Sequence, residues 1–218
     1  MAEKILWTGN SDTVPENVYH NVSAYAGNSV SGFIDEQQIV TWDFNFLMGS
    51  TNGPYTEGIV IDGERYFWQE GNTYKIVTTL TDPIEVTTER FTVFSWRGES
   101  FNVDVFEEGL FYLEHEHGGA SYYVLSHVMD PPIPAFIDIV PGSTNAFQMT
   151  VHLSSNKTLG WLEIVLNGEP VIFGNGSSRI YLKTYDGLKT NPVWSCGKTF
   201  GDSANVYMSN LQVYLVME

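Results

Sequence analysis

The sequence predicts an all-β fold, a sandwich of two packed antiparallel sheets. Three observations predict it. Apolar and polar residues alternate at period two in run after run, and turn residues such as Asn167-Gly168 bound those runs. No stretch keeps helical spacing for more than a turn; the best candidate, from Asp35 to Ile39, is too short to matter. Roughly a dozen short strands, each with one apolar face, must bury those faces against a second sheet.

The period-two or β-branched runs fall at 38–47, 58–61, 65–69, 73–80, 84–96, 101–106, 109–115, 121–129, 136–140 and 146–153. In the last of these, Phe147, Met149, Val151 and Leu153 share one side, and Gln148, Thr150 and His152 share the other. The next segment, from Gly160 to Val171, sets Leu162, Ile164 and Leu166 against Trp161, Glu163 and Val165, then turns at Asn167-Gly168. Both turn residues tolerate the positive φ of a type I′ hairpin. A run from Val206 to Leu215 closes the chain as one long strand. One face of each strand packs inward and the other meets solvent or a ligand.

At 218 residues the chain is long enough to bury a core of its own. No linker or step in composition divides it, so a single domain over 1–218 is expected. The absence of a repeat at fixed period argues against a propeller or trefoil. Twenty-six acidic residues face ten basic ones, a net charge of −16. Nucleic acid and anionic membrane surfaces are repelled by such a charge and are not expected partners. No apolar run approaches membrane-spanning length, so membrane insertion is not expected either.

Cys196 is alone, which rules out an intramolecular disulfide. The segment from Met1 to Trp7 lacks the apolar core of a secretory signal, so a cytoplasmic location is expected. The Asn-x-Ser/Thr triplets at Asn21, Asn156 and Asn175 matter only in a secreted form. No segment specifies an oligomer interface, and a homo-oligomer stays open.

The segment from Gly160 to Val171, the run Arg179-Ile180-Tyr181-Leu182-Lys183-Thr184-Tyr185-Asp186-Gly187 and the closing 206–214 strand resemble the end of a concanavalin A-like jelly roll. The version they resemble is that of the heparin-lyase-like and glucuronan-lyase-like polysaccharide lyases. Residues 121–134 are similar to the strand and proline-rich loop that precede it there. The resemblance covers about the last 100 residues of the chain and implies a jelly roll active on, or binding, polysaccharide.

A lyase acting on a uronate neutralises the carboxylate, removes the neighbouring proton and protonates the leaving oxygen. The resemblance offers His127, Tyr181, Lys183 and Tyr185 for these roles. Tyr181, Lys183 and Tyr185 are spaced by two and so share a strand face; an ordinary exposed sheet face is the alternative explanation. The chain departs from the lyase pattern after Lys183. Those enzymes place a glycine and then the catalytic tyrosine, often followed by arginine, whereas here Tyr185 comes sooner and Asp186 follows it.

Other chemistry is less well supported. His115 and His117 lie two apart beside Glu114 and Glu116, and with His127 as a third ligand they form the one metal-like cluster; Gly118-Gly119 suggests a turn with solvated side chains instead. Asp62, Asp130, Asp138 and Asp186 are scattered near turns, and no run resembles a calcium loop. Glu107-Glu108 and Glu114–Glu116 lack the spacing of a glycosidase acid pair. No metal or cofactor is expected.

Six Trp and twelve Tyr exceed what a core of this size usually needs. Trp42, Trp68, Trp96, Trp161, Trp194, Tyr122 and Tyr123 are the notable rings, and a few of them on a sheet face suffice to stack on sugars. The expected function is therefore that of a lectin-like, carbohydrate-binding protein without catalysis. Its glycan is expected in a groove on the concave sheet lined by His127, Tyr181, Lys183, Tyr185 and Trp194. A polysaccharide lyase acting by β-elimination is the alternative, and a self-assembling structural jelly roll is a third class.

Overall fold

The structure, a computed structural model, describes residues 2–9, 12–19, 21–23, 28–46, 55–65, 67–81, 91–97, 109–115, 121–125, 135–138, 142–188, 190–195 and 204–217. In chain order its strands begin with β1 (Ala2–Thr8), followed by the one-turn helix α1 (Pro15–Val18). Next come β2 (Asn21–Ser23), β3 (Ser29–Ile34), β4 (Val40–Phe46), β5 (Tyr55–Glu57), β6 (Thr73–Thr81) and β7 (Phe91–Arg97). Then follow β8 (Gly109–His115), β9 (Ser121–Leu125), β10 (Ala135–Asp138), β11 (Thr144–His152) and β12 (Trp161–Leu166). The chain ends with β13 (Glu169–Pro170), β14 (Arg179–Tyr181), β15 (Asn191–Ser195) and β16 (Ala204–Met217).

These strands form two antiparallel sheets, a jelly-roll sandwich. The larger sheet runs β13-β12-β11-β6-β16-β4-β3, with β1 added to β16 and β14 added to β12. The smaller runs β10-β9-β8-β7-β15-β5-β2. The 14-residue β16 is the spine of the larger sheet. Along one edge it pairs with β6, and along the other with β4 and then β1. Its register with β6 shifts between Ser209 and Gln212, where Asn210 takes a φ of 54°. Such a bulge lets one long strand serve two successive partners.

The period-two pattern translates directly into burial. β6 and β12 alternate half-buried and buried residues along their length, and β11 does the same after Thr144 and Ala146, which are exposed. Tyr74, Ile76, Leu80, Phe147, Met149, Val151, Leu162 and Ile164 fill the space between the sheets. Phe147 meets Phe94 of β7 from the facing sheet at 6.1 Å, and Trp68 meets Trp96 edge-on at 5.1 Å. The expected hairpin at Asn167-Gly168 is present, with φ of 53° and 87° at its two residues.

Two expected strands are not formed among the described residues. Residues 58–61, 65 and 67–69 belong to an irregular connection in which Ile61 and Glu64 bridge, with Asp62 and Gly63 at positive φ. Ile59 and Trp68 are nonetheless buried. Their apolar character reports burial in the core rather than pairing in a sheet. The run at 84–96 is described from Phe91 onward and that at 121–129 as far as Leu125, while 101–106 lies outside the described residues. The strands β1, β3 and β15 lacked a clear period in the sequence; each is held by its neighbour. No helix among the described residues is long and apolar enough to cross a membrane.

Candidate functional site

The outward face of the larger sheet carries a trough of about 730 Å³. Strand register decides which side chains line it. One row crosses six strands through Glu3, Val216, Thr73, His152, Trp161 and Tyr181, each directly opposite the next. The adjacent row runs through Ile5, Tyr214, Lys75, Thr150, Glu163 and Arg179. Thr158 and Leu159, from the connection between β11 and β12, border the trough.

That connection is built rather than loose. Asn156 Oδ1 accepts from the Thr158 backbone N–H and hydroxyl, both at 2.9 Å. Glu70 accepts from the Ser155 backbone N–H at 2.7 Å and from its hydroxyl at 2.5 Å. The Ser155 hydroxyl and then its N–H hold the Glu70 carboxyl below its ordinary value. Gly160 ends the connection where only glycine fits. A Cβ there would lie 2.4 Å from the Leu182 carbonyl oxygen and 2.6 Å from Thr184 Oγ1. This close approach lets β14 pair with β12 and brings Tyr181 opposite Trp161.

At the centre is a layered arrangement on Trp161. The His152 ring lies nearly parallel to the indole, 5.9 Å centre to centre and inclined by 13°. The Arg179 guanidinium sits 3.9 Å from the same ring centre, within range of a cation–π attraction. Arg179 Nε donates to Glu163 Oε1 at 2.8 Å, and Thr73 Oγ1 meets His152 Nδ1 at 3.0 Å. Glu163, chiefly by this hydrogen bond, raises the already high pKa of Arg179, so the guanidinium stays charged. Lys75 is paired with Glu3 and lies 4.4 Å from the Tyr214 ring centre. Tyr181 is the ring left open, 53% exposed at the edge of the row.

The charges of the trough therefore balance. Its lining holds Lys75 and Arg179 against Glu3 and Glu163, and each cation is engaged by a carboxylate. Around them lie hydroxyl, amide and imidazole groups from Thr73, Thr150, Gln148, Thr158, Tyr181 and His152. Such a surface donates and accepts hydrogen bonds in many directions beside an exposed aromatic face.

Of the five residues expected to line one groove, four are described, and these four are not all brought together. Tyr181 is in the trough. Lys183 and Tyr185 continue on its side, because Ile180, Leu182 and Thr184 are the buried ones between them. Lys183 is taken up in an ion pair with Asp186, and Tyr185 packs half-buried against the core. Trp194 requires a correction. It belongs to the other sheet, is 1% exposed and packs 4.5 Å from the Phe94 ring, so it is core rather than groove wall. The inward face of β15 takes it, and no ligand on the outer surface reaches it. His127 lies outside the described residues.

His115 closes β8, while His117 and Glu116 lie outside the described residues. Among the described residues no group of three metal-ligating side chains occurs. Sequence reasoning passed over Trp161, His152, Arg179 and Glu163 as site residues. The available signal was alternation: these side chains stand opposite the buried Leu162, Val151 and Ile180. Of the other tryptophans singled out, Trp42, Trp68 and Trp96 are all buried.

No protein-family model matches the sequence, and no curated protein sequence matches it. Solved structures do share its fold. An endo-β-1,4-glucuronan lyase from the fungus Trichoderma reesei superposes with a TM-score of 0.67 at 10% identity, over 96% of this chain and 95% of that one. An endo-1,3-β-glucanase from Streptomyces sioyaensis gives 0.60 at 11% identity, over 100% and 96%. An alginate lyase of polysaccharide lyase family 7 gives 0.57 at 10% identity, over 89% and 85%. The fold is thus a jelly-roll sandwich that these two lyases and the glucanase share.

Proposed function

We propose that the protein binds carbohydrate without catalysis and holds a glycan in the trough on the outer face of its larger sheet. One observation carries this reading: the open ring of Tyr181 stands in register with Trp161, beside a parallel row whose two cations, Lys75 and Arg179, are already paired with carboxylates. Sugars present apolar C–H faces rimmed by hydroxyls, and an aromatic face beside carboxylate, hydroxyl and amide groups complements both parts. The solved structures that share the fold support the ligand class, since by name they act on polysaccharides.

A glycan array carrying neutral, aminosugar and uronic-acid oligomers tests the reading. Selective retention that falls with Tyr181→Ala is the expected result. An array silent for every saccharide removes the proposal and leaves self-assembly as the better account, read by light scattering.

A second reading is β-elimination by a polysaccharide lyase. It draws support from the end-to-end match with the glucuronan lyase fold. In it Tyr181 or Tyr185, together with His127, supplies base and acid, and Lys183 stands beside the uronate. The Lys183–Asp186 ion pair weighs against that role for Lys183, because its charge is already compensated. Incubation with glucuronan or alginate decides: a rise in ultraviolet absorbance from unsaturated uronate ends establishes the lyase, and a flat trace dismisses it for those polymers.

A further inference from the structure

We propose that the trough takes an uncharged, extended glycan lying across the strands, and that Glu163 sets this choice by occupying Arg179. The inference rests on the carbohydrate-binding reading above.

The orientation follows from register. The row from Glu3 to Tyr181 crosses six strands, hence five interstrand steps of about 4.8 Å, or about 24 Å in all. The second row runs parallel to it, one pleat repeat away. A ligand that follows these rows meets a new side chain at every strand. A linear saccharide, with hydroxyls recurring along its length, has the matching repeat. A compact ligand would use one end and leave the other unfilled. The ring of Tyr181 marks one end of the row, and Glu3 marks the other.

The choice of charge follows from pairing. A uronate needs a cation with free charge, best presented as a guanidinium fork. Arg179 is the cation nearest the aromatic pair, and its Nε is already bound to Glu163. A carboxylate that displaced Glu163 would leave that side chain uncompensated beside it, adding like-charge repulsion. Lys75 repeats the arrangement with Glu3. The net charge of −16 adds a long-range penalty for a polyanion. An uncharged sugar meets no such opposition. Its hydroxyls donate to the carboxylate oxygens and accept from guanidinium N–H groups without breaking either pair.

The Glu163 and Arg179 side chains are about one-third exposed, at 34% and 36%. Glu163→Gln is therefore expected to fold, since it keeps the shape and loses only the charge. It releases the Arg179 charge for an incoming carboxylate.

The test is isothermal titration calorimetry on the whole chain and on Glu163→Gln and Tyr181→Ala. The probes are gluco-oligosaccharides of increasing length and glucuronate oligomers of matching length, with a thermal melt to verify folding. The wild-type protein should bind the uncharged oligomers about tenfold or more tightly than the uronates, with affinity rising from disaccharide to tetrasaccharide. Glu163→Gln should raise uronate affinity about tenfold, in a salt-sensitive manner, and narrow that preference. Tyr181→Ala should weaken uncharged oligomers about tenfold. A wild-type preference for uronates, or a ratio unmoved by Glu163→Gln in a folded variant, overturns this inference while the carbohydrate reading stands. Binding of neither class also overturns this inference, and the glycan array then decides the carbohydrate reading by itself.

Discussion

Trp96 and Thr184 tie the two sheets together: the indole Nε1 of Trp96 donates to the Thr184 carbonyl oxygen at 2.8 Å. The Thr184 hydroxyl works in the other direction. It donates to the His152 carbonyl oxygen at 2.6 Å and accepts from the Ser154 N–H at 2.9 Å. One buried position thus connects the core to the strand end that presents His152 to the trough.

Thr184→Val keeps the volume and removes both hydroxyl hydrogen bonds. Leaving the buried Ser154 N–H without its acceptor is expected to cost about 1–3 kcal/mol. Urea unfolding measures the loss directly. Glycan affinity should fall with it, because His152 and Trp161 flank the connection that loosens. Unchanged stability would show that the hydroxyl is dispensable there.

Gly160→Ala is expected to be the more disruptive glycine substitution. Its Cβ must displace the backbone of Leu182 rather than a flexible side-chain end, at a cost of about 1–3 kcal/mol or more. Gly168→Ala has no atom within 4 Å of the new Cβ, and it costs only the strain of a positive φ. Paired melts should therefore rank Gly160→Ala below Gly168→Ala, and only the former should lose glycan binding.

Trp194→Ala and Tyr181→Ala separate core from site. Trp194 is buried, and its truncation should cost about 3–5 kcal/mol of stability. Tyr181 is exposed, so its loss should leave the melting temperature nearly unchanged while saccharide affinity falls about tenfold. The reverse pattern would place the ligand against the smaller sheet.

The Glu70–Ser155 contact predicts an acid-side dependence. The folded carboxyl titrates below its ordinary value of 4.5 because Ser155 hydrogen-bonds its charged form. A lowered folded pKa contributes stability that is complete above the unfolded value and disappears as pH falls through the folded one. The β11–β12 connection should therefore loosen below pH 4.5, and Ser155→Ala should flatten that part of the melting-temperature profile. An identical profile in the variant would assign the acid loss to other carboxylates.

The alternation of Phe147, Met149 and Val151 with Gln148, Thr150 and His152 was legible because a strand sends successive side chains to opposite faces. The same rule separated Trp161 from Leu162, while the Asn167-Gly168 turn was legible because both residues tolerate a positive φ. It failed at Ile59 and Trp68, which are apolar because a connection crosses the core. It also failed at β1, a strand held to β16 by backbone pairing with little apolar burial. Backbone pairing leaves no signature in side-chain order.

The all-β class, the inward and outward faces of the clearest strands, the principal hairpin and the strong negative charge were all legible in the residue order, because each depends on near neighbours or on composition. The tertiary structure alone decided that β14 lies beside β12 while β15 crosses to the other sheet. Tyr181 thereby became surface and Trp194 core, although only twelve residues lie between them. It alone also set Glu3 at the end of the row that leads to Trp161 and Tyr181. Contacts between distant strands follow from pairing register and sheet order, and local side-chain patterns do not encode either.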